Sequence, residues 1–252
     1  MSGNFQECAA DWLDQYIWPQ IHNMMLNDAY FKLMGCAREL TGEFSGPIAN
    51  LIEVGYVTSQ TLAIRRFCDG RRDVISLRRL LVEAKANGLV PAVHIDHILP
   101  KLDCCEHICR IVNDYLAHTA NRLRKPNVSD WNLQLGHLTG AQKAICEVAV
   151  TIDRDFLRRR NNVRIIPVPQ FDIMQEFRPW VAADGIKKLL EFWRAHNDTV
   201  NGWIDTNTER LAADGPSIWA VKDDPSWFEN LEDRTAQEVQ RCLRELRGEA
   251  TP

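Results

Sequence analysis

The stretch from residue 94 to residue 118 contains the side chains best suited to chemistry. It holds four of the seven histidines and three of the eight cysteines, and it ends in Asn113-Asp-Tyr-Leu-Ala-His118. On a helix, Asp114 and His118 are four residues apart and can touch, while Asn113 lies on a neighbouring edge. A histidine beside an amide and a carboxylate is suited to general acid–base catalysis on a 2′-hydroxyl or a phosphodiester.

A metal site is a second interpretation of the same stretch. Cys105 and Cys109 share a helix face, and His94 and His97 are three residues apart, so sulfur and nitrogen ligands for zinc are present. Both cysteines also fall on the apolar side of the helix, and the stretch lacks the tight turns that usually present zinc ligands. We therefore predict no metal and no cofactor.

A nucleophilic cysteine is a third interpretation. It would need an exposed thiol with a lowered pKa beside a base, and no sequence pattern indicates either feature. Most of the cysteines lie among apolar neighbours, which favours buried structural thiols.

Basic residues cluster in the middle of the chain. We predict RNA contacts at Arg122, Arg124, Lys125, Arg71 and Arg72, provided that the fold brings them together. Other clustered arginines lie at positions 65, 66, 78, 79, 154, 158, 159, 160 and 164. The alternative is that these side chains only keep loops soluble, because acidic residues are interleaved with them.

The net charge of −4 conceals a partition along the 252 residues. Residues 1–60 carry a net charge of −5, residues 61–169 a net charge of +7, and residues 170–252 a net charge of −6. A hydrophobic fraction of 45% with 25% charged residues excludes a mostly disordered chain. The segregation favours a nucleic-acid-facing role for the middle segment.

The expected cellular compartment is inferred from two sequence features, membrane-spanning runs and a secretory signal. No apolar run approaches the roughly 18–20 residues that span a bilayer, and the first residues lack the basic and apolar regions of a secretory signal. We expect a cytoplasmic protein with reduced thiols and no membrane partner.

Apolar residues recur at helical spacing almost throughout, which predicts an all-α fold. The predicted architecture is a helical bundle over residues 1–160, a Pro-containing linker at 161–171, and an acidic, Trp-rich helical extension at 172–252. The main predicted helices cover residues 47–67, 76–87, 95–123, about 139–156 and about 172–211. Pro19 predicts a kink or a break, and residues 163–169 are the one strand candidate.

The helix that ends in Asn113-Asp-Tyr-Leu-Ala-His118 resembles the signature helix of the HEPN superfamily. The segments Leu62-Ala-Ile-Arg-Arg-Phe-Cys-Asp69 and Asp73-Val-Ile-Ser-Leu-Arg-Arg-Leu-Leu81 resemble the corresponding region of its abortive-infection, AbiU-like branch. The likeness covers roughly residues 20–160. It implies a HEPN-like helical bundle that forms a homodimer and belongs to a prokaryotic defence or toxin–antitoxin system.

In active relatives, two signature helices form a composite, metal-independent ribonuclease site. The signature is an arginine, often followed by a polar residue, and then a histidine after four to six residues. His118 matches the histidine and Asn113 the polar residue, but Val112 stands where the arginine is expected. Arg110 or Arg122 would have to replace that arginine, which stabilises charge on the phosphate.

Three functions therefore stay open. The favoured one is RNA or nucleotide binding with degenerate or no catalysis; the alternatives are a metal-independent endoribonuclease that uses His118 with Asn113, Asp114 and Arg110, and a purely protein-binding module. Five of the eight tryptophans lie in residues 170–252. They predict core packing of the extension or, alternatively, a partner-binding surface.

Overall fold

The structure is a computed structural model that describes residues 2–42, 46–113, 133–159, 174 and 177–204. Helices and turns account for these residues, and no strand occurs among them, which confirms the all-α class. The α-helices are α1 Ser2–Trp12, α2 Trp18–Thr41, α3 Pro47–Phe67, α4 Leu77–Ala86, α5 Ala92–Ile98, α6 Glu106–Ile111, α7 Leu135–Thr151 and α8 Ala183–Gly202.

The first two helices are joined without a break. A π-helical turn, Leu13–Ile17, connects α1 to α2, and Pro19 lies in the first turn of α2. The first turn of a helix tolerates proline, because backbone N–H groups there have no partner within the helix and the missing N–H of proline costs no hydrogen bond. The interruption predicted near Pro19 is therefore a widened turn rather than a break.

Helix α2 lies at the centre of the bundle. It packs against α3, α7 and α8, and its face with Ile21, Met25, Ala29 and Leu33 is fully buried. Burial of apolar surface contributes about 25 cal/mol of stability per Å2 removed from water, and this is the main stabilising term for such a face.

A buried polar network ties these four helices together. Asp28 of α2 is fully buried and accepts hydrogen bonds from the Tyr56 hydroxyl of α3 and from Nε2 of Gln142 of α7, the latter at 3.2 Å. His196 of α8 places Nε2 at 3.5 Å from the Asp28 carboxylate, within ion-pair distance but outside hydrogen-bond geometry. Lys32 completes the pairing at 2.7 Å. A buried carboxylate with this many partners sets the mutual register of the helices.

The loop after α3 and the start of α4 agree with the sequence prediction. Ser76 caps α4 by accepting a hydrogen bond from the Arg79 backbone N–H at 3.0 Å. Gly88 follows the end of the helix with φ of 64°, a left-handed conformation that favours glycine. The Arg79 guanidinium lies 4.7 Å from the centre of the Trp12 ring, which attaches α4 to α1.

The helix predicted for residues 95–123 is divided. Helix α5 already begins at Ala92, a 3-10 segment spans Leu99–Cys105, and α6 follows. Pro100 explains the division, because it cannot donate the i to i−4 hydrogen bond. The predicted apolar stripe is nevertheless buried at Ile98, Leu102, Cys105, Ile108 and Val112.

Helix α7 begins four residues before the predicted Thr139. Gln134 and His137 form a reciprocal cap at this end, in which the Gln134 backbone N–H donates to Nδ1 of His137 at 3.3 Å. The helix therefore starts upstream of the predicted residue 139, because this cap of unusual residue types lies at its N-terminus.

Helix α8 packs against α2 and shares its hydrophobic core. Trp193 is fully buried and its ring lies 6.1 Å from that of Tyr30, so this tryptophan packs in the core. Trp219 and Trp227 lie outside the described residues, as do the predicted linker and the strand candidate. Within the described ranges, no helix is long and apolar enough to cross a membrane.

Candidate nucleic-acid interface

The C-terminal end of α3 carries an arginine that contacts the predicted signature helix. Nε of Arg65 donates a hydrogen bond to Oδ1 of Asn113 at 2.6 Å. The two residues are 48 positions apart in the chain. Arg65 lies in the last turn of α3, where the helix dipole favours a positive charge.

The packing of α3 on α6 explains why these side chains meet. Cys68, just past the end of α3, contacts Cys109, while Arg65 contacts Asn113, so the two segments run antiparallel. Val112 is fully buried in this packing. An arginine at position 112 would have to enter the core, whereas Arg65 reaches the same polar residue from the neighbouring helix.

Asp69 organises the arginines at this end of α3. Its Oδ1 accepts hydrogen bonds from the backbone N–H of Arg71 at 3.0 Å and from Nε of Arg71 at 3.2 Å, and its Oδ2 lies 3.6 Å from Nη1 of Arg65. Burial alone would raise the pKa of Asp69, but the Arg71 hydrogen bonds and the charges of Arg71 and Arg65 lower it below the usual value. The carboxylate therefore stays charged and holds both guanidinium groups in place.

Three further arginines near this end are exposed. Arg66, Arg72 and Arg110 make no ion pair with any residue that the structure describes. We define the α3 basic end as Arg65, Arg66, Arg71 and Arg72, with Asp69 and Asp73 as its acidic members. Exposed guanidinium groups, next to Arg65 and Arg71 that Asp69 holds in place, are suited to bind successive phosphates of a nucleic acid.

The structure describes only part of the predicted site. Among the predicted catalytic residues it describes Asn113, which contacts Arg65, and Arg110, which is exposed on α6. Among the predicted RNA contacts it describes Arg71 and Arg72, both exposed in the loop after α3. The others lie outside the described residues: Asp114, His118, Arg122, Arg124 and Lys125.

The sequence pattern does not indicate the contact between Arg65 and Asn113. It predicts Arg65 as part of a basic cluster, whereas the arginines that it offers in place of the one missing at Val112, Arg110 and Arg122, lie on the same predicted helix as Asn113. The signal that was available is the adjacent Arg65-Arg66 pair at the end of an amphipathic helix. Spacing along the chain does not indicate which helix packs beside it.

Four thiols gather beside the α3 basic end. Sγ of Cys104 lies 3.9 Å from Sγ of Cys105, and Cys68 lies beside Cys105 and Cys109. The neighbouring thiols of Cys105 and Cys109 lower the pKa of the Cys68 thiol against the effect of burial, and the charge of Arg78 lowers it further. The neighbouring Cys105 thiol also lowers the pKa of Cys104, which is exposed.

Cys146 shows the contrasting environment. It is fully buried in α7, and burial raises the pKa of its thiol. His94 and His97 are both exposed on α5. No set of three or more histidine, cysteine or acidic side chains within the described part of the chain is arranged to hold a metal ion.

Comparisons of this chain with protein-family models, with curated proteins and with solved structures find no match.

Proposed function

We propose that this chain is a HEPN-like protein of prokaryotic defence or toxin–antitoxin type. In this proposal it binds RNA or nucleotide phosphate at the α3 basic end, with degenerate or no catalysis. The supporting observation is the hydrogen bond from Arg65 to Asn113 at 2.6 Å. It places a guanidinium group beside the polar residue of the proposed signature helix, although Val112 replaces the arginine of that helix.

The environment of Arg65 favours binding. Its side chain is 33% exposed, and both Asn113 and Asp69 restrain it. A restrained guanidinium group loses little conformational freedom when it meets a phosphate. Arg66 and Arg72 lie nearby, and the counterions that they release on binding would add salt-dependent affinity.

Fluorescence anisotropy with labelled single-stranded RNA tests this proposal. We expect affinity to fall as salt rises, and each lost phosphate contact to reduce the slope of log K against log salt by about 0.7. The variants Arg66→Gln and Arg72→Gln should each reduce the slope. Arg38→Gln is the matched control, because Arg38 is an exposed arginine of α2 paired with Glu53. Binding that is absent, or that Arg38→Gln weakens equally, contradicts the proposal.

A metal-independent ribonuclease is the second candidate, and the same contact favours it. Arg65 could supply from α3 the charge stabilisation that the signature helix lacks at Val112, while His118 would act as the general acid–base group. Purified protein would be incubated with RNA and a chelator. Cleavage that is lost in both His118→Ala and Arg65→Gln supports the enzyme, whereas RNA binding without cleavage supports the noncatalytic protein.

We also propose a homodimer that uses α3. Ile48, Leu51 and Val54 expose 54–72% of their surface along this helix. Apolar side chains grouped in this way mark protein-binding surfaces. Light scattering coupled to size exclusion should show a dimer for the wild type and a monomer for Leu51→Glu. Val93→Glu, a change at an exposed apolar residue of α5, serves as the control. An unchanged mass for Leu51→Glu argues against α3 as the dimer surface.

A further inference from the structure

We propose that the acidic, aromatic segment 223–233 of this chain docks on the C-terminal half of α3, against Leu62 and Arg66. The docked segment covers part of the α3 basic end. The contact itself requires no nucleic acid, and only its consequence, competition with RNA, rests on the proposed function.

Leu62 and Arg66 form the surface that the segment would cover. They are four residues apart on α3 and therefore share one helix face. Leu62 exposes 46% of its surface, Arg66 is exposed as well, and Arg72 follows in the exposed loop after the helix. Leu51 of the proposed dimer surface lies about 16 Å away along the helix, so the two surfaces are distinct. An apolar side chain beside guanidinium groups fits a partner that combines aromatic rings with carboxylates.

The segment 223–233 has this composition. Its sequence, Asp223-Asp-Pro-Ser-Trp-Phe-Glu-Asn-Leu-Glu-Asp233, contains five acidic residues and no basic residue, which gives a net charge of −5. The α3 basic end, with four arginines and two aspartates, carries a net charge of +2. The two charges are complementary. A Trp227 ring laid on Leu62 also reaches the Arg66 guanidinium, which is attracted to an aromatic face.

Helix α3 runs antiparallel to the central helix α2. Arg38 in the last turn of α2 pairs with Glu53 in the first half of α3 at 2.9 Å. Farther along α3, Nε2 of Gln60 donates to the backbone oxygen of Met24 at 3.0 Å. The α3 basic end therefore lies level with the N-terminal part of α2.

Helix α8 also runs antiparallel to α2. The ring of Trp193 lies 6.1 Å from that of Tyr30, and His196, farther along α8, lies 3.5 Å from Asp28. The described chain ends at Ile204, about 12 Å beyond His196 in the same direction. The residues that follow position 204 therefore start from the end of the bundle that carries the α3 basic end.

The distance of the segment from residue 204 suits this contact. Helices α3 and α8 both pack on α2, and helices that pack on a common neighbour have axes no more than about 20 Å apart. About 19 residues separate Ile204 from Asp223, and a coil of that length has an average span of about 25 Å. Such a tether gives an effective concentration on the order of millimolar, at which a weak contact forms within one molecule.

Site-specific photo-cross-linking in the full chain tests the contact. The protein would carry p-benzoylphenylalanine in place of Trp227, be irradiated without RNA and be digested with trypsin. Trypsin gives peptide 39–65, which contains Leu62, and peptide 223–234, which contains the cross-linker. We expect these two peptides to be joined within a product of monomer mass, with fragment ions that place the adduct at residues 59–65. A cross-link between two copies, or one to other peptides in place of 39–65, overturns the proposal.

Variants of the cross-linkable protein separate docking from chance contact. Leu62→Glu should lower the yield about fivefold or more, because it removes the apolar contact and sets a carboxylate against an acidic segment. Val82→Glu is the matched control, since Val82 of α4 is 50% exposed and lies outside the proposed contact. Raising NaCl from about 0.05 M to about 0.5 M should lower the yield about threefold. Equal yields for the two variants, or a yield that salt leaves unchanged, argue against docking.

Neutralising the segment tests the consequence for RNA. The variant changes three of its carboxylates: Asp223→Asn, Asp224→Asn and Glu229→Gln. It should tighten the binding of labelled RNA about threefold, because a surface that is covered about two thirds of the time binds about three times more weakly. The control makes the same charge change at three exposed residues of α1 and α8: Glu7→Gln, Asp11→Asn and Asp198→Asn. An equal gain for both variants contradicts competition at this surface.

The two readouts distinguish the two proposals. A cross-link in a protein that binds no RNA supports docking and refutes the proposed function. RNA binding without the cross-link refutes docking and leaves the proposed function standing.

Discussion

Asp28 and Gln142 are joined by a hydrogen bond of 3.2 Å across 114 residues of chain. The carboxylate of Asp28 is fully buried at the centre of the bundle. Tyr56 and Lys32 donate to the same carboxylate, and Gln142 donates in addition to Oε1 of Gln60 at 3.0 Å. The network therefore fixes α2, α3 and α7 against each other, and removing one member leaves a buried polar atom without a partner.

We expect Tyr56→Phe to lower the free energy of unfolding by about 1–3 kcal/mol, because Asp28 would lose a buried hydrogen-bond donor. The ring itself stays stacked on Phe31, with the ring centres 3.7 Å apart, so packing is preserved. Urea denaturation measures the change. Tyr16→Phe is the control, since Tyr16 is 46% exposed and should change stability by less than about 0.5 kcal/mol. Equal effects of the two substitutions would refute the assigned role of Tyr56.

The same network predicts a loss of stability in mild acid. Burial lowers the pKa of His196 below its usual 6.5, the charge of Lys32 lowers it further, and Asp28 opposes both. The unfolded chain therefore binds this proton more readily than the folded protein. Stability should fall as the pH drops from about 7 through 6.5 to the folded pKa and level off below it.

Denaturation midpoints between pH 8 and pH 5 measure this dependence. His196→Asn should flatten the slope in that range, whereas His97→Asn should leave it unchanged, because His97 is exposed on α5. A slope that persists in His196→Asn would assign the pH dependence to other groups.

A glycine in α8 should resist substitution. A Cβ atom added to Gly185 would lie 2.5 Å from Cγ1 of Val181, closer than real Cβ contacts allow. We expect Gly185→Ala to lower the free energy of unfolding by about 1–3 kcal/mol through overpacking. Gly140→Ala, in α7, has no heavy atom within 4 Å of the added Cβ and should stabilise the protein by about 0.5–1 kcal/mol. Thermal denaturation measures both, and the same sign for the two changes would contradict the packing argument.

Arg159 joins the end of α7 to the π-helical turn after α1. Its two terminal nitrogens lie 2.7 and 2.8 Å from the Asp14 carboxylate, and its Nε donates to the buried Asp153. Lysine cannot reproduce this fork, so Arg159→Lys should cost about 1–3 kcal/mol of stability. Arg154→Lys is the matched control, because the Arg154–Asp155 pair is exposed and joins adjacent residues. Chemical denaturation in low salt measures the free energy of unfolding of both variants. An equal loss of stability in Arg154→Lys would show that the two-nitrogen contact of Arg159 with Asp14 does not stabilise the fold more than an exposed ion pair does.

Local signals predicted several helix boundaries correctly. The sequence predicted α3 with the bounds Pro47 and Phe67 that the structure has, and it placed the end of α4 just before Gly88. Proline in a first turn and a glycine that adopts positive φ act over one or two residues, so they can be recognised without the fold.

Other boundaries depended on contacts that the pattern does not contain. The helix predicted for residues 95–123 is divided at Pro100, and the cap of Gln134 and His137 replaces the predicted start at residue 139. Helix α5 begins at Ala92 and packs against α4, a tertiary contact that decides which local conformation is retained.

The all-α class and the segregation of charge follow from the sequence alone, because each depends on residue types and short-range periodicity. Tertiary structure decided which side chains share a site. Arg65 contacts Asn113 across 48 residues, and Cys68 meets Cys109 on the same pair of segments. These contacts arise because α3 and α6 pack antiparallel over a common core. The spacing of residues along the chain does not indicate which two helices will pack against each other.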